Sequence, residues 1–222
     1  MKKRVLIIAA HPDDELLGCG GTIVCHTNVG DTVKSIIVCE GESMRGQDNS
    51  SKISATMEAS RILGVSETIC LSLPDQHLDS LSLVDVINPI EKIVKDFKPN
   101  IVYTHFKNDI NRDHQIIFQA SMVALRPKVR YLEKIYSFYT VSSSEWNYPY
   151  AFIPDTFMEL DEEVVDKKIK AFSCYDTEIC EYPHPRSMEG LKNLAAFTGN
   201  QCCMKYAEGF ITIRNIIRSE NF

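Results

Sequence analysis

Five short apolar runs, the first four each followed by a stretch with helical spacing, constrain this chain most. Residues 5–10 form a continuous apolar run, too short for a helix and rich in β-branched side chains, which reads as a buried strand. Residues 16–27 follow with helical spacing, loosened by Gly18, Gly20 and Gly21. The pattern then repeats. Strands are expected over residues 31–41, 67–75, 100–106 and 134–141, and helices over residues 54–63, 83–97 and 114–125. Gly64 is placed to close the second helix and Pro99 to stop the third, whose apolar face comprises Val84, Ile87, Ile90, Ile93, Val94 and Phe97. Residues 41–52 are polar and contain glycine, so they read as a loop. Strands alternating with helices imply an α/β fold, a mostly parallel sheet with helices on both faces.

The pattern changes after residue 141. Residues 142–155 are loop-like, residues 162–175 a helix, residues 181–187 a second loop, then a helix over 188–200 and a final strand from Ala207. We read the chain as a single domain over residues 1–222, with a core of about 1–141 and a C-terminal extension of about 142–222.

In such a sheet, ligands bind outside the carboxyl ends of the strands. Two polar clusters fall there. His11-Pro12-Asp13-Asp14-Glu15 follows the first strand, and residues 105–114, HFKNDINRDH, follow the fourth. If those strands flank the point where strand order reverses, the clusters face each other. The three adjacent carboxylates repel one another unless something positive sits among them. His11 and Asp14, three apart on a loop entering a helix, suit zinc or another borderline divalent ion. A catalytic site needs a third ligand, for which His114 is the best candidate. Asp13 then stands beside the metal, able to take a proton from a water whose pKa zinc lowers to about 7. The alternative is a turn feeding a helix whose first-turn acids are favoured by the dipole. His105 reads as a weaker ligand or a strand-end core residue. His26 and His77 are expected to lack carboxylate partners and read as structural or surface residues.

These motifs resemble the PIG-L/LmbE-like zinc-dependent N-acetylsugar deacetylases. The resemblance runs through AHPDDE (residues 10–15), LPDQHL (73–78), PNIVYTH (99–105), NDINRDH (108–114), SSSEWN (142–147), HPRS (184–187) and YAEGF (206–210), nearly the whole chain. It implies a Rossmann-like fold, His11, Asp14 and His114 as zinc ligands (Fe2+ being the other candidate), and Asp13 as general base. The implied reaction removes an acetyl group from an amino sugar or sugar conjugate and releases acetate. SSSEWN and HPRS resemble the branch associated with surface-polysaccharide and glycan precursors, so a nucleotide-linked or lipid-linked sugar is one expectation.

The sequence departs from the family at Asn111, where many members carry a histidine that supports the oxyanion. Either Asn111 suffices with zinc, or Tyr206 or Arg112 assists, or the enzyme is slow. Asp113, which often pairs with that histidine, is expected to orient His114 or Asn111 instead. Substrate contacts are expected from Arg45, Asp75, Trp146, His184, Arg186 and Tyr206; Arg45, Asp75, Trp146 and Tyr206 each have a structural or surface alternative, His184 and Arg186 read as anion contacts, and Glu208 reads as either site-facing or structural. His184 and Arg186 are also placed to reach a neighbouring subunit if the chain forms a homo-oligomer.

The remaining features narrow the class. A net charge of −6 argues against a nucleic-acid backbone as partner. Met1-Lys2-Lys3-Arg4 precedes an apolar stretch too short for a signal peptide, and no run approaches a membrane span, so a cytoplasmic location is expected. The eight cysteines show no CxxC pair and read as free, buried thiols in a reducing compartment. Three rivals remain: a related metal amidase acting on a thiol-sugar or antibiotic-type conjugate, a catalytically weak sugar-binding homologue, and a nucleotide-binding protein. No G-x-G-x-x-G follows the first strand, and acids there would repel a pyrophosphate.

Overall fold

A computed structural model of the chain describes residues 2–40, 49–126 and 130–219. The expected strands form as β1 (Arg4–Ala9), β2 (Thr32–Cys39), β3 (Glu67–Leu73), β4 (Ile101–Thr104) and β5 (Lys134–Phe138), all parallel. Between them run α1 (Asp14–Asn28), α2 (Asn49–Leu63), α3 (Leu83–Phe97) and α4 (Arg112–Ala124). After β5 come β6 (Thr156–Leu160), α5 (Glu162–Phe172), α6 (Met188–Asn200) and β7 (Tyr206–Asn215). The sheet order is β3-β2-β1-β4-β5-β7-β6. Strand order reverses between β1 and β4, which pair from Val5↔Ile101 to Ile8↔Thr104. The two polar clusters therefore leave neighbouring strands at the switch point.

Sequence and structure differ at three places. β6 lies where no strand is expected; TFMEL alternates only weakly, and it is held by antiparallel pairing to β7. β7 also runs antiparallel to β5, so the stretch after residue 141 completes the same sheet. α2 begins at Asn49, inside the stretch read as loop.

Alternation along β1 sorts the two cores. Val5 and Ile7 face a layer of α1, α2, α5 and α6, while Leu6 and Ile8 face α3 and α4. Each such buried side chain contributes about 1.5–3 kcal/mol. Gly64 has φ +82, the left-handed C-cap expected after α2. Gly18 matters for the site: a Cβ there would lie 2.2 Å from the Phe138 ring. Its absence lets α1 settle against the end of β5. Six residues in, α1 breaks at Cys19 (φ −149, ψ 24). The break is bridged by a buried ion pair: Lys168 Nζ donates to Leu17 O (2.9 Å), and Glu208 accepts from the N–H groups of Gly21 (2.9 Å) and Thr22 (2.7 Å). Glu208 is thus structural, one of the two roles open to it.

Candidate metal and active site

β1 delivers His11 two residues past its end, and α4 carries His114 on its first turn. Backbone carbonyl Asp13 O starts α1 by accepting from Leu16 and Leu17 N–H. The Asp13 side chain makes no capping bond, and its backbone sits at φ 97, a left-handed conformation disfavoured for a residue with a Cβ. Asp14 Oδ2 accepts from His11 N–H (2.9 Å), which folds the imidazole back over the carboxylate.

Three donor atoms converge. His11 Nδ1 is 3.1 Å from Asp14 Oδ2, His114 Nε2 is 3.2 Å from the same oxygen, and the two ring nitrogens are 3.3 Å apart. A tetrahedral ion with bonds of about 2.0–2.1 Å has ligand–ligand edges of about 3.3 Å, so the three atoms match one face around zinc. Electrostatics agree. Burial opposes charge on His114, yet Asp14 and Asp109 raise its pKa to about 9. Burial likewise opposes the His11 imidazolium, and Asp113, Asp14 and Asp75 outweigh it. Burial also opposes the Asp14 carboxylate, but His114, His105 and His11 hold its pKa well below the usual range. The pocket therefore favours positive charge at its centre, as a divalent cation would supply.

Each imidazole is fixed from behind. His114 Nδ1 lies 3.1 Å from Asp109 Oδ1. Asp109 is itself held by the hydroxyls of Ser143 and Ser144 and the N–H of Asn111. Asp113 meets the Asn111 side chain only through its backbone N–H, and its own side chain does not orient His114, the other expected role. It faces His11 instead, at 3.1 Å from Nε2, and accepts from the N–H groups of Gln76 (2.8 Å) and Leu78 (3.2 Å). The reason is position: Asp113 is on the first turn of α4, turned toward the loop after β3. His11 Nε2, Cys39 and Asp113 form a second group of potential metal donors. The backbone donors and His11 engage both Asp113 oxygens, which marks that group as a support for His11. His105 accepts from Ala10 N–H through Nε2 (2.8 Å) and stacks on His114 at 3.9 Å between ring centroids, so its lone pair is engaged.

Asp13 is buried, and that burial pushes its pKa well up, with Asp14, Glu178 and Glu15 adding and Arg186 opposing. Asn111 caps α4: its Oδ1 accepts from Asp113 N–H (2.9 Å), which turns the amide nitrogen to other partners. Glu15 lies beneath the site, where Tyr175 donates to its Oε1 (3.0 Å).

A cleft of about 680 Å³ opens over these groups. Of the expected substrate contacts, Asp75, His184 and Arg186 line it, beside Asn111 and Arg112. Trp146 is 69% exposed and does not line it. Tyr206 is buried in the core at the start of β7, under Lys192 and Lys205. Arg45 lies outside the described residues. Sequence alone does not single out Asp109, Lys52, Gln76 or Glu178. Asp109 carried one signal, an acidic residue five before a candidate ligand. His26 does have a carboxylate partner, Asp31 at 2.8 Å, contributed by the turn after α1. Its role remains structural.

The fold and the site together define an α/β protein with a His-Asp-His group that could hold a metal ion at the switch point of its sheet. Residues 6–125 match the family model PIG-L, GlcNAc-PI de-N-acetylase. The chain belongs to this family and is a deacetylase of it. It is 32% identical over 176 residues to the uncharacterized deacetylase YaiS of Escherichia coli, covering 77% of this chain and 89% of that one. Two solved structures, each 22% identical, share the fold. The conserved protein TT1542 of Thermus thermophilus superposes with a TM-score of 0.80, covering 97% of both chains. The N,N'-diacetylchitobiose deacetylase of Pyrococcus horikoshii superposes at 0.78, covering 95% of this chain and 84% of that one.

Proposed function

We propose that this deacetylase is zinc-dependent and removes the acetyl group from an N-acetylated amino sugar or sugar conjugate, releasing acetate and a free amine. The observation that carries the reading is the three-atom face of His11, Asp14 and His114, with buried Asp13 beside it. His11, Asp14 and His114 hold the ion. When bound, zinc supplies a Lewis acid for the acetyl carbonyl and lowers the pKa of water. Asp13 takes a proton from the attacking water and returns it to the departing amine, a role suited to a carboxyl whose pKa burial has raised. Asn111, its Oδ1 engaged as a cap, turns its amide N–H toward the developing oxyanion. Asp75 and His184, at the cleft wall, contact the sugar hydroxyls.

The family and the polar lining of the cleft support the sugar class, and the Pyrococcus neighbour, a deacetylase of a diacetylated disaccharide, is in keeping with it. All eight cysteines are free, which fits a reducing cytoplasm, but only Cys19 and Cys39 are buried as expected; Cys25, Cys70, Cys174 and Cys180 are half-buried, and Cys202 and Cys203 are exposed. Among the described residues, no helix is long and apolar enough to cross a membrane.

The test is acetate release from a panel of N-acetylated amino sugars, with metal-stripped protein and protein reloaded with zinc. Acetate is expected only from the reloaded protein. The D13N variant is expected to retain zinc and lose turnover. Bound zinc with no acetate from any sugar overturns the acetyl-sugar reading.

A further inference from the structure

Arg186 reaches the site from the far end of the chain, and what it touches there is the side chain of Asp13. Its Nη1 lies 3.0 Å from Asp13 Oδ2 and 3.0 Å from Glu178 Oε2, and its Nε donates to Ser142 Oγ at 2.9 Å. The backbone around it is equally fixed. Arg186 N–H donates to His184 Nδ1 (3.0 Å), Arg186 O accepts from Cys180 N–H (3.2 Å), and the next residue, Ser187, caps α6. Lys52 Nζ, 3.3 Å from Glu178 Oε1, ends a row of alternating charges: Lys52, Glu178, Arg186, Asp13. An arginine serving only to grip substrate would keep its guanidinium open to the cleft; this one is engaged on three sides.

Asp13 needs such a partner. It is buried, has Asp14 and Glu15 as sequence neighbours, stands on a disfavoured backbone conformation and uses no side-chain cap to fix its rotamer. We propose that Arg186 is the positioning residue of Asp13: by holding Oδ2 it fixes the carboxylate's orientation and leaves Oδ1 for the reacting proton. This rests on the reading of Asp13 as general base. Arg186 then acts through Asp13 and not as the substrate contact its sequence context suggests. A guanidinium is required because one planar group meets two carboxylates and a hydroxyl at once, which an ammonium cannot reproduce in full.

The experiment uses R186A, R186K, D13N and the R186A/D13N double variant, all reloaded with zinc, on a sugar that the wild type deacetylates. R186A is expected to lower kcat by about 10–100-fold, the usual cost of losing a group that orients a reacting one. KM should stay within about twofold and zinc content at the wild-type ratio, while R186K recovers part of the loss. Against the residual turnover of D13N, measured at high enzyme concentration, R186A should cost less than about twofold more. A raised KM with kcat kept makes Arg186 a substrate contact and overturns the proposal, as does an undiminished cost in the D13N background. Urea melts of the same four proteins without metal give a second readout. R186A should lower the midpoint more in the Asp13 protein than in the D13N background; equal effects overturn the pairing. Because melts need no substrate, they separate failure of the positioning role from failure of the deacetylase reading. Should R186A fail to fold, R186K and R186Q carry the same comparison.

Discussion

Replacing Glu208 by alanine should unlock the helix that presents the acidic cluster. At the break in α1, Glu208 accepts from two backbone N–H groups and from Lys168 Nζ (2.7 Å), while Lys168 also donates to Leu17 O. Both side chains are largely buried, at 7% and 10% exposed. Truncation leaves a buried ammonium without its counter-charge, which costs about 3–5 kcal/mol when one partner of such a pair is removed. The two orphaned N–H groups push the loss toward the upper end. That is a large share of a typical stability of about 5–15 kcal/mol. The assay is urea denaturation of the metal-free protein at neutral pH, followed by far-UV circular dichroism. The E208A/K168M double variant removes both charges and should recover part of the loss. A loss below about 1 kcal/mol, the size of an exposed pair, would refute the reasoning, as would a double variant no more stable than E208A.

Three other outcomes follow from the site. N111A should lower kcat by about 10²–10³-fold, the cost of one oxyanion donor; its lost cap should also cost about 1 kcal/mol in melts. Unchanged kcat would leave Asn111 only its capping role. H114A should abolish the stabilisation that zinc gives the wild type, about 2.7 kcal/mol at a hundredfold excess over Kd, read as a shift in melting temperature; a persisting shift would move the metal elsewhere. The last outcome concerns pH in chelated, metal-free protein. Burial raises the Glu15 pKa from 4.5 to about 7, so the folded state holds a proton that the unfolded state releases. Glu15 therefore contributes stability that is complete below pH 4.5 and lost as pH rises through about 7, roughly 3 kcal/mol in all. E15Q should flatten that slope; a slope that survives in E15Q belongs to another group.

The two halves of the site were legible for different reasons. Strand and helix periods placed His11 and His114 at strand ends, and the sheet topology then brought them together. The acidic cluster read clearly because like charges in an apolar setting require compensation. What could not be read is what depends on rotation about one bond or on contacts between distant segments. Asp113 points to His11 and not to its own helix neighbour, because α4 turns its first residues toward the loop after β3. Asp109 looked like one more polar loop residue until Ser143 and Ser144 closed on it from the C-terminal stretch. Arg186 meets Asp13 across 173 residues of sequence and holds Glu178 on the same nitrogen. β6 escaped notice because an edge strand held by one neighbour needs little of the apolar patterning that a buried parallel strand carries. Tyr206, expected at the site, is drawn into the core by the same β6–β7 pairing.

The central claim is that a single divalent ion sits on the face formed by His11 Nδ1, Asp14 Oδ2 and His114 Nε2. Anomalous diffraction from crystals of the zinc-loaded protein, recorded on both sides of the zinc absorption edge, locates the ion directly. The account predicts one strong peak at about 2.0–2.2 Å from those three atoms, lost in H114A. A peak on the opposite side of His11, among Nε2, Cys39 and Asp113, or no peak in protein saturated with zinc, would contradict it.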